Sequence, residues 1–291
     1  MRRTWAWAVL IVLPPLPAWC WAAADDAGAS LQNVSGNRLI PLAAAPAGAS
    51  DAAGDQGFDP RWYCSADQHW CVRVQPGDDE EQALLIVRGR SAGRDISRRA
   101  LALAIGNAEG GLQPWPALVE LGSAAGGGVL VGVDAQASTM YSGGGASVTE
   151  RVVARVMLHA ADADADADAD AGSGEVLRLP VQGHASIRAC FSERDMDLRA
   201  GACHDEYGFD AALSLDPAGA GMPVLRYQTH ANRFPAFASR NQDSLAHGRV
   251  KTSELRTVSD PACSYQRVYR FQNGAYVADQ ALPDCSEFTE L

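Results

Sequence analysis

Cys203-His204-Asp205-Glu206-Tyr207 packs more acid–base and metal-ligand chemistry into five residues than any other stretch of the chain. Joined by His184, His204 and Glu206 would form an imidazole and carboxylate set for a divalent metal in a metal-assisted hydrolase. Without a metal, His204 and Glu206 would serve as an acid/base pair. Strand geometry limits both ideas. Alternate residues of a strand face opposite ways, so His204 and Glu206 share a face that Asp205 leaves. The simpler reading is a disulfide-tethered loop whose polar residues cap turns and face water.

A second nucleophile is offered by Gly89-Arg90-Ser91-Ala92-Gly93, which matches GxSxG. A nucleophile elbow needs small residues around its serine because the chain turns sharply there from strand to helix. Ser91 follows the strand-like Ala83 to Val87, and Asp95 could cap a helix reaching Ile105, so the context is half right. The repeated strand–helix units of an α/β-hydrolase are not visible, and a plain hairpin turn explains the glycines equally well. Asp243, Ser244 and His247 supply a serine, a carboxylate and an imidazole, yet such sets are assembled in space and not along the chain. Tyr141 to Ser147 carries three glycines whose amides could cradle an anion; without a nearby cation a turn is the plainer reading. Phe191 to Arg199 mixes charges densely, as solvated helices and recognition surfaces both do. Trp62, Tyr63 and Trp70 could stack on a sugar or a protein partner, or pack around a cysteine pair as core. HExxH, Walker, GxGxxG and SxxK motifs are absent, and no cofactor is indicated.

The elements that would position these groups read as mainly β. Strand-like runs recur at Ala83 to Val87, Ala117 to Leu121, Val129 to Val133 and Val152 to Leu158, with turn residues between them. Asp95 to Ile105 is the ambiguous stretch: its cap and stop signals predict a helix, while Leu101, Leu103 and Ile105 also fit a strand. Phe209, Ala211, Leu213 and Leu215 alternate as one face of a half-buried strand. Asn273-Gly274, flanked by Val268 to Phe271 and Tyr276 to Ala278, predicts a type I′ hairpin. We expect two small disulfide-braced antiparallel lobes of sandwich or partial-barrel type, with at most one or two short helices. They span 58–158 and 175–291; a single continuous β structure is the alternative.

Residues 1–24 read as a secretory signal peptide, with Arg2 and Arg3, an apolar run from Trp5 to Leu16, and Ala22 to Ala24 before a cleavage site. Residues 25–57 form an Ala/Gly/Asp-rich arm expected to be disordered. Residues 159–174 hold an Ala–Asp alternation expected to be a linker or loop; Asp166, Asp168 and Asp170 have calcium-loop spacing, but the required glycine and final acid are missing. Six cysteines follow the signal segment. In an exported chain they predict the local bonds Cys64–Cys71, Cys190–Cys203 and Cys263–Cys285.

The formal charge of −11 deepens to −13 when cleavage deletes Arg2 and Arg3 and no acid. This balance argues against nucleic acid, and no apolar run is long enough for a transmembrane helix. Only Lys251 among 24 basic residues is lysine, a bias expected of GC-rich bacterial coding sequence. The favoured function class is therefore a periplasmic or secreted, non-catalytic binding or envelope-associated protein of a bacterium, with a protein or glycan as partner. The alternatives are an exported hydrolase, through His184, His204 and Glu206 or through Ser91, and an acidic inhibitor of a basic periplasmic enzyme.

Overall fold

A computed structural model of the protein describes residues 31–45, 61–79, 81–91, 94–106, 108–158 and 172–290. The expected signal segment, the Ala–Asp alternation and its aspartates of calcium-loop spacing lie outside the described residues. Seventeen strands are defined: β1 (Leu31–Gln32), β2 (Arg38–Pro41), β3 (Ala43–Ala44), β4 (Tyr63–Cys64), β5 (Trp70–Pro76), β6 (Gln82–Ser91), β7 (Arg94–Ala104), β8 (Gly111–Pro114), β9 (Ala117–Glu120), β10 (Val129–Tyr141), β11 (Gly144–Val156), β12 (Gly174–Arg188), β13 (His204–Leu215), β14 (Leu225–Phe234), β15 (Val258–Ser259), β16 (Gln266–Gln272) and β17 (Ala275–Ala278). The helices α1 (Glu193–Leu198) and α2 (Ser286–Thr289) are short.

All strand pairs among the described residues are antiparallel. β3 to β7 form one sheet in chain order, and the remaining strands form a second in the order β1-β2-β9-β10-β11-β12-β13-β14-β16-β17, with β8 also on β10 and β15 also on β14. Val72, Val74, Leu85, Val87 and Leu103 of the small sheet pack on Val129, Val131, Val133, Val152 and Val156 of the large one. The sequence of β10 explains its burial. Where both faces are covered, from Val129 to Val133, every residue is buried; beyond Asp134 the strand alternates and opens to solvent. A second core joins Leu130, Val153, Leu177 and Leu179 to Phe209, Leu213, Leu225 and Tyr227, because the β13–β17 half of the large sheet curls back over the β10–β12 half. The Tyr227 hydroxyl donates to the Pro180 carbonyl at 2.7 Å across that fold.

The expected mainly β, disulfide-braced class describes the molecule, but three local expectations change. Asp95 to Ile105 is not a helix: β7 pairs with β6 along its length, placing Leu103 and Ile105 in the core while Ala102 and Ala104 face out. Period-2 burial overrides the capping signals. Residues 31–45, expected to belong to a disordered arm, carry β1 to β3; Leu39 and Ile40 pair with Val119 and Leu118 of β9, and Leu42 is buried. The apolar patch Leu39 to Leu42 is what anchors them. Finally, the sheets do not divide at the Ala–Asp alternation. β11 and β12, on either side of it, are neighbours in the large sheet, paired from Gly144 with Ile187 to Arg155 with Gly174.

The three disulfides join the expected pairs, Cys64–Cys71, Cys190–Cys203 and Cys263–Cys285. The first bridges directly opposed residues of the β4–β5 hairpin. The last ties β16, β17 and α2 together around the predicted turn, where Asn273 and Gly274 take φ values of 51° and 91°.

Candidate functional site

The histidines and carboxylate singled out above do share one solvent-facing side of the sheet, but they do not converge. Register places His204 opposite Arg188, Glu206 opposite Ser186 and His184 opposite Gly208. His184 and His204 are thus four residues out of step on adjacent strands, roughly 14 Å apart at a strand rise of about 3.4 Å. Two ligands of one ion must lie within a few ångströms of each other. Among the described residues, no group of three or more His, Cys, Asp or Glu side chains could hold a metal. Asp205 turns to the opposite, buried face, as alternation required. There it accepts from Arg199 Nη2 and Ser244 Oγ.

That arrangement also dismantles the serine-type sets. Ser244 lies beside a depression of about 200 Å3, but its hydroxyl is spent on Asp205 and not on an imidazole. His247 stacks on Phe237, ring centres 3.7 Å apart and nearly parallel, and its Nε2 lies 3.1 Å from Glu254 Oε1. Ser91 ends β6 and pairs with Arg94 at the start of β7. A strand follows where an elbow needs a helix, so Ser91 ends one arm of an antiparallel strand pair and does not sit on a nucleophile elbow.

The aromatic cluster is core. Trp62 and Trp70 are buried, with Arg73 and Arg88 stacked on the Trp62 ring, so neither indole offers a face to a sugar. Ser142 and Gly143 make the β10–β11 turn and Gly144 and Gly145 open β11; a Cβ on Gly144 would lie 2.0 Å from the Ser186 carbonyl oxygen. Phe191 to Arg199 becomes α1, capped by Ser192 accepting from the Asp195 amide.

What the strands do assemble is a polar row. Gln136 stands opposite Thr149, Thr149 opposite Gln182, Gln182 opposite Asp210, and Asp210 opposite His230. Five strands therefore bring an amide, a hydroxyl, a second amide, a carboxylate and an imidazole into one line. Thr149/Glu150 marks a register shift: Thr149 pairs with Gln182 but Glu150 with Pro180, so β12 carries Val181 as an extra residue. Such a bulge bends its strand, and here it lies at the floor of a cleft of about 240 Å3. Gln136, Thr149, Gln182 and Asp210 line the cleft together with Asp134 and Arg151.

Asp134 and Arg151 are cross-strand partners joined by two hydrogen bonds, Nε to Oδ1 at 2.7 Å and Nη2 to Oδ2 at 2.6 Å. Their side chains are only 16% and 10% exposed. The guanidinium carbon lies 5.1 Å from the centre of the buried Trp115 ring. Stacking and the bidentate bond fix the plane of the guanidinium, while Asp134 occupies two of its five donors. The result is a rigid polar wall, with its positive charge matched by its neighbour.

Sequence reading missed this row because no segment of it stands out. Its only trace is local alternation, as in Val181-Gln182-Gly183-His184-Ala185, where buried residues interleave with exposed Gln182 and His184. The register that aligns five such segments is set by pairing across the sheet.

No protein-family model matches the chain, and neither a curated protein nor a solved structure matches it significantly.

Proposed function

We propose that the chain is an exported, non-catalytic binding protein of the bacterial cell envelope, and that it recognises its partner through the polar face of β10 to β14. The observation that carries this reading is the in-register row Gln136, Thr149, Gln182, Asp210 and His230 beside a rigid Asp134–Arg151 wall. Groups fixed on paired strands of a braced sheet suit recognition, because little side-chain or loop ordering remains to oppose binding. Ser244 and His247 are committed to other partners, Ser244 to Asp205 and His247 to Glu254. Three disulfides fit an oxidising compartment, and no helix among the described residues is long and apolar enough to cross a membrane.

The test is to express the full chain with a C-terminal tag in a Gram-negative host. Intact-mass analysis should find the mature protein beginning at Asp25 with all six remaining cysteines oxidised, and it should co-sediment with isolated envelopes. A retained N-terminus with free thiols would overturn the exported reading. Turnover of an ester, peptide or glycoside substrate lost in Ser244→Ala would overturn the non-catalytic one.

A further inference from the structure

We infer that the cleft and row on β10 to β14 bind a neutral polyhydroxylated ligand, a linear glycan lying across the strands; this rests on the binding reading above and names its ligand class. Charge is the first argument. Within the cleft Arg151 is neutralised by Asp134, and Asp210 adds a carboxylate that joins no ion pair among the described residues. Phosphate, sulfate and uronate groups therefore meet net negative charge. Apolar ligands meet amides, a hydroxyl and carboxylates, and the Trp115 ring on which Arg151 stacks is buried.

The second argument is hydrogen-bond chemistry. A sugar presents adjacent hydroxyls that donate and accept at once. Gln136, Gln182 and Gln113 offer paired donors and acceptors, Asp210 a two-oxygen acceptor, and Thr149 a hydroxyl that does both. Arg151, nine-tenths buried, keeps guanidinium donors beyond those used by Asp134 and lines the same cleft.

The third is pitch. Neighbouring strands lie about 4.8 Å apart, so the row repeats at that interval for roughly 19 Å from Gln136 to His230. That is a spacing and reach suited to a short extended oligosaccharide. A parallel row two residues along, Ser147, His184, Gly208 and Asn232, continues the polar surface beside it.

The full mature chain should be titrated calorimetrically with cellohexaose, chitohexaose and maltohexaose, with a heparin hexasaccharide as the polyanionic arm. At least one neutral oligosaccharide should bind at millimolar concentration or below. Gln182→Ala and Asp210→Ala should each weaken it about tenfold or more, with melting temperatures unchanged, while Gln272→Ala in the distant β16–β17 hairpin should not. The inference falls if no neutral oligosaccharide binds, if the Gln182 and Asp210 variants bind as the parent does, or if the polyanion binds more tightly. Envelope co-sedimentation without binding to any of the three neutral sugars would sink the glycan assignment and leave the binding reading standing. Loss of both would sink both.

Discussion

Arg199 and Asp205 form an ion pair sealed inside the protein, their side chains 1% and 4% exposed, on either side of the Cys190–Cys203 bridge. The arginine comes from the charged stretch that looked like a solvated surface, the aspartate from the pentapeptide that looked like a metal site. Arg199 also donates from Nε to the Ala202 carbonyl at 2.8 Å, and its guanidinium lies 5.2 Å from the Phe237 ring. Asp205 takes Ser244 as its second donor. The pair thus pins the α1 loop and the Ser244 turn to β13.

Breaking a buried pair leaves an uncompensated charge, which costs about 3 to 5 kcal/mol, whereas replacing both partners by apolar groups costs far less. Asp205→Ala should therefore lower the urea midpoint sharply with little change in slope, and Arg199→Met combined with Asp205→Leu should recover most of the loss. Equal destabilisation by the single and double variants would show that the charges are not the relevant contact.

Alkaline pH should unfold the protein through its tyrosines. Burial pushes the Tyr269 phenol up to about 12 from 10.0. Burial also raises Tyr207, Tyr227, Tyr265 and Tyr276. A phenol whose folded value exceeds its unfolded one favours the fold fully below about pH 10, and that contribution is lost as pH rises through the folded value. Phenolate absorbance and far-ultraviolet circular dichroism should change together above pH 10. Complete tyrosine ionisation near pH 10 with the dichroism intact would contradict the burial.

Much of the scaffold was legible in the sequence. Cysteine spacing gave all three bonds, Asn273-Gly274 its hairpin, and the alternation of Phe209 to Leu215 its buried face, because each is written within a few consecutive residues. Asp95 caps no helix because a cap signal is weaker than the pairing of ten β7 residues with β6. The candidate site was the least legible part. His204 and Glu206 were expected on one face from strand alternation alone, but whether His184 meets them depends on a four-residue offset between β12 and β13 that no local pattern records. Gln182 and Asp210 carried no motif and gained meaning only by standing opposite each other.

That offset makes a metal test discriminating. A folded protein gains stability from any ion it binds in proportion to the logarithm of the excess over Kd. Zn2+ or Ni2+ in large excess should move the melting temperature by no more than about 1 °C, and His184→Ala with His204→Ala should not alter the response. A shift of several degrees, lost in that double variant, would bring the two imidazoles onto one ion after all.

Gly183 is the position where the recognition face and the C-terminus constrain each other. It lies between Gln182 and His184, and its missing side chain leaves room on the opposite side for α2: a Cβ there would stand 2.1 Å from the Phe288 carbonyl oxygen. Phe288 is itself 3% exposed and packs edge-on against Tyr207, ring centres 6.0 Å apart. The Cys263–Cys285 bond and the Glu287 carboxylate, which accepts from Ser239 Oγ at 2.6 Å, hold the segment from both sides. With backbone as the obstacle, Gly183→Ala must displace α2 or bend β12, an overpacking that costs about 1 to 3 kcal/mol. Gly143→Ala, whose Cβ would meet only the Tyr141 ring at 3.6 Å, should cost much less. Hydrogen exchange separates the two responses open to Gly183→Ala. Faster exchange at the Phe288 and Thr289 amides, both bonded to the Cys285 carbonyl, means that α2 lifts while the sheet holds. Faster exchange at Gln182 and His184 means that the strand yields, and then the polar row should lose its ligand along with its register.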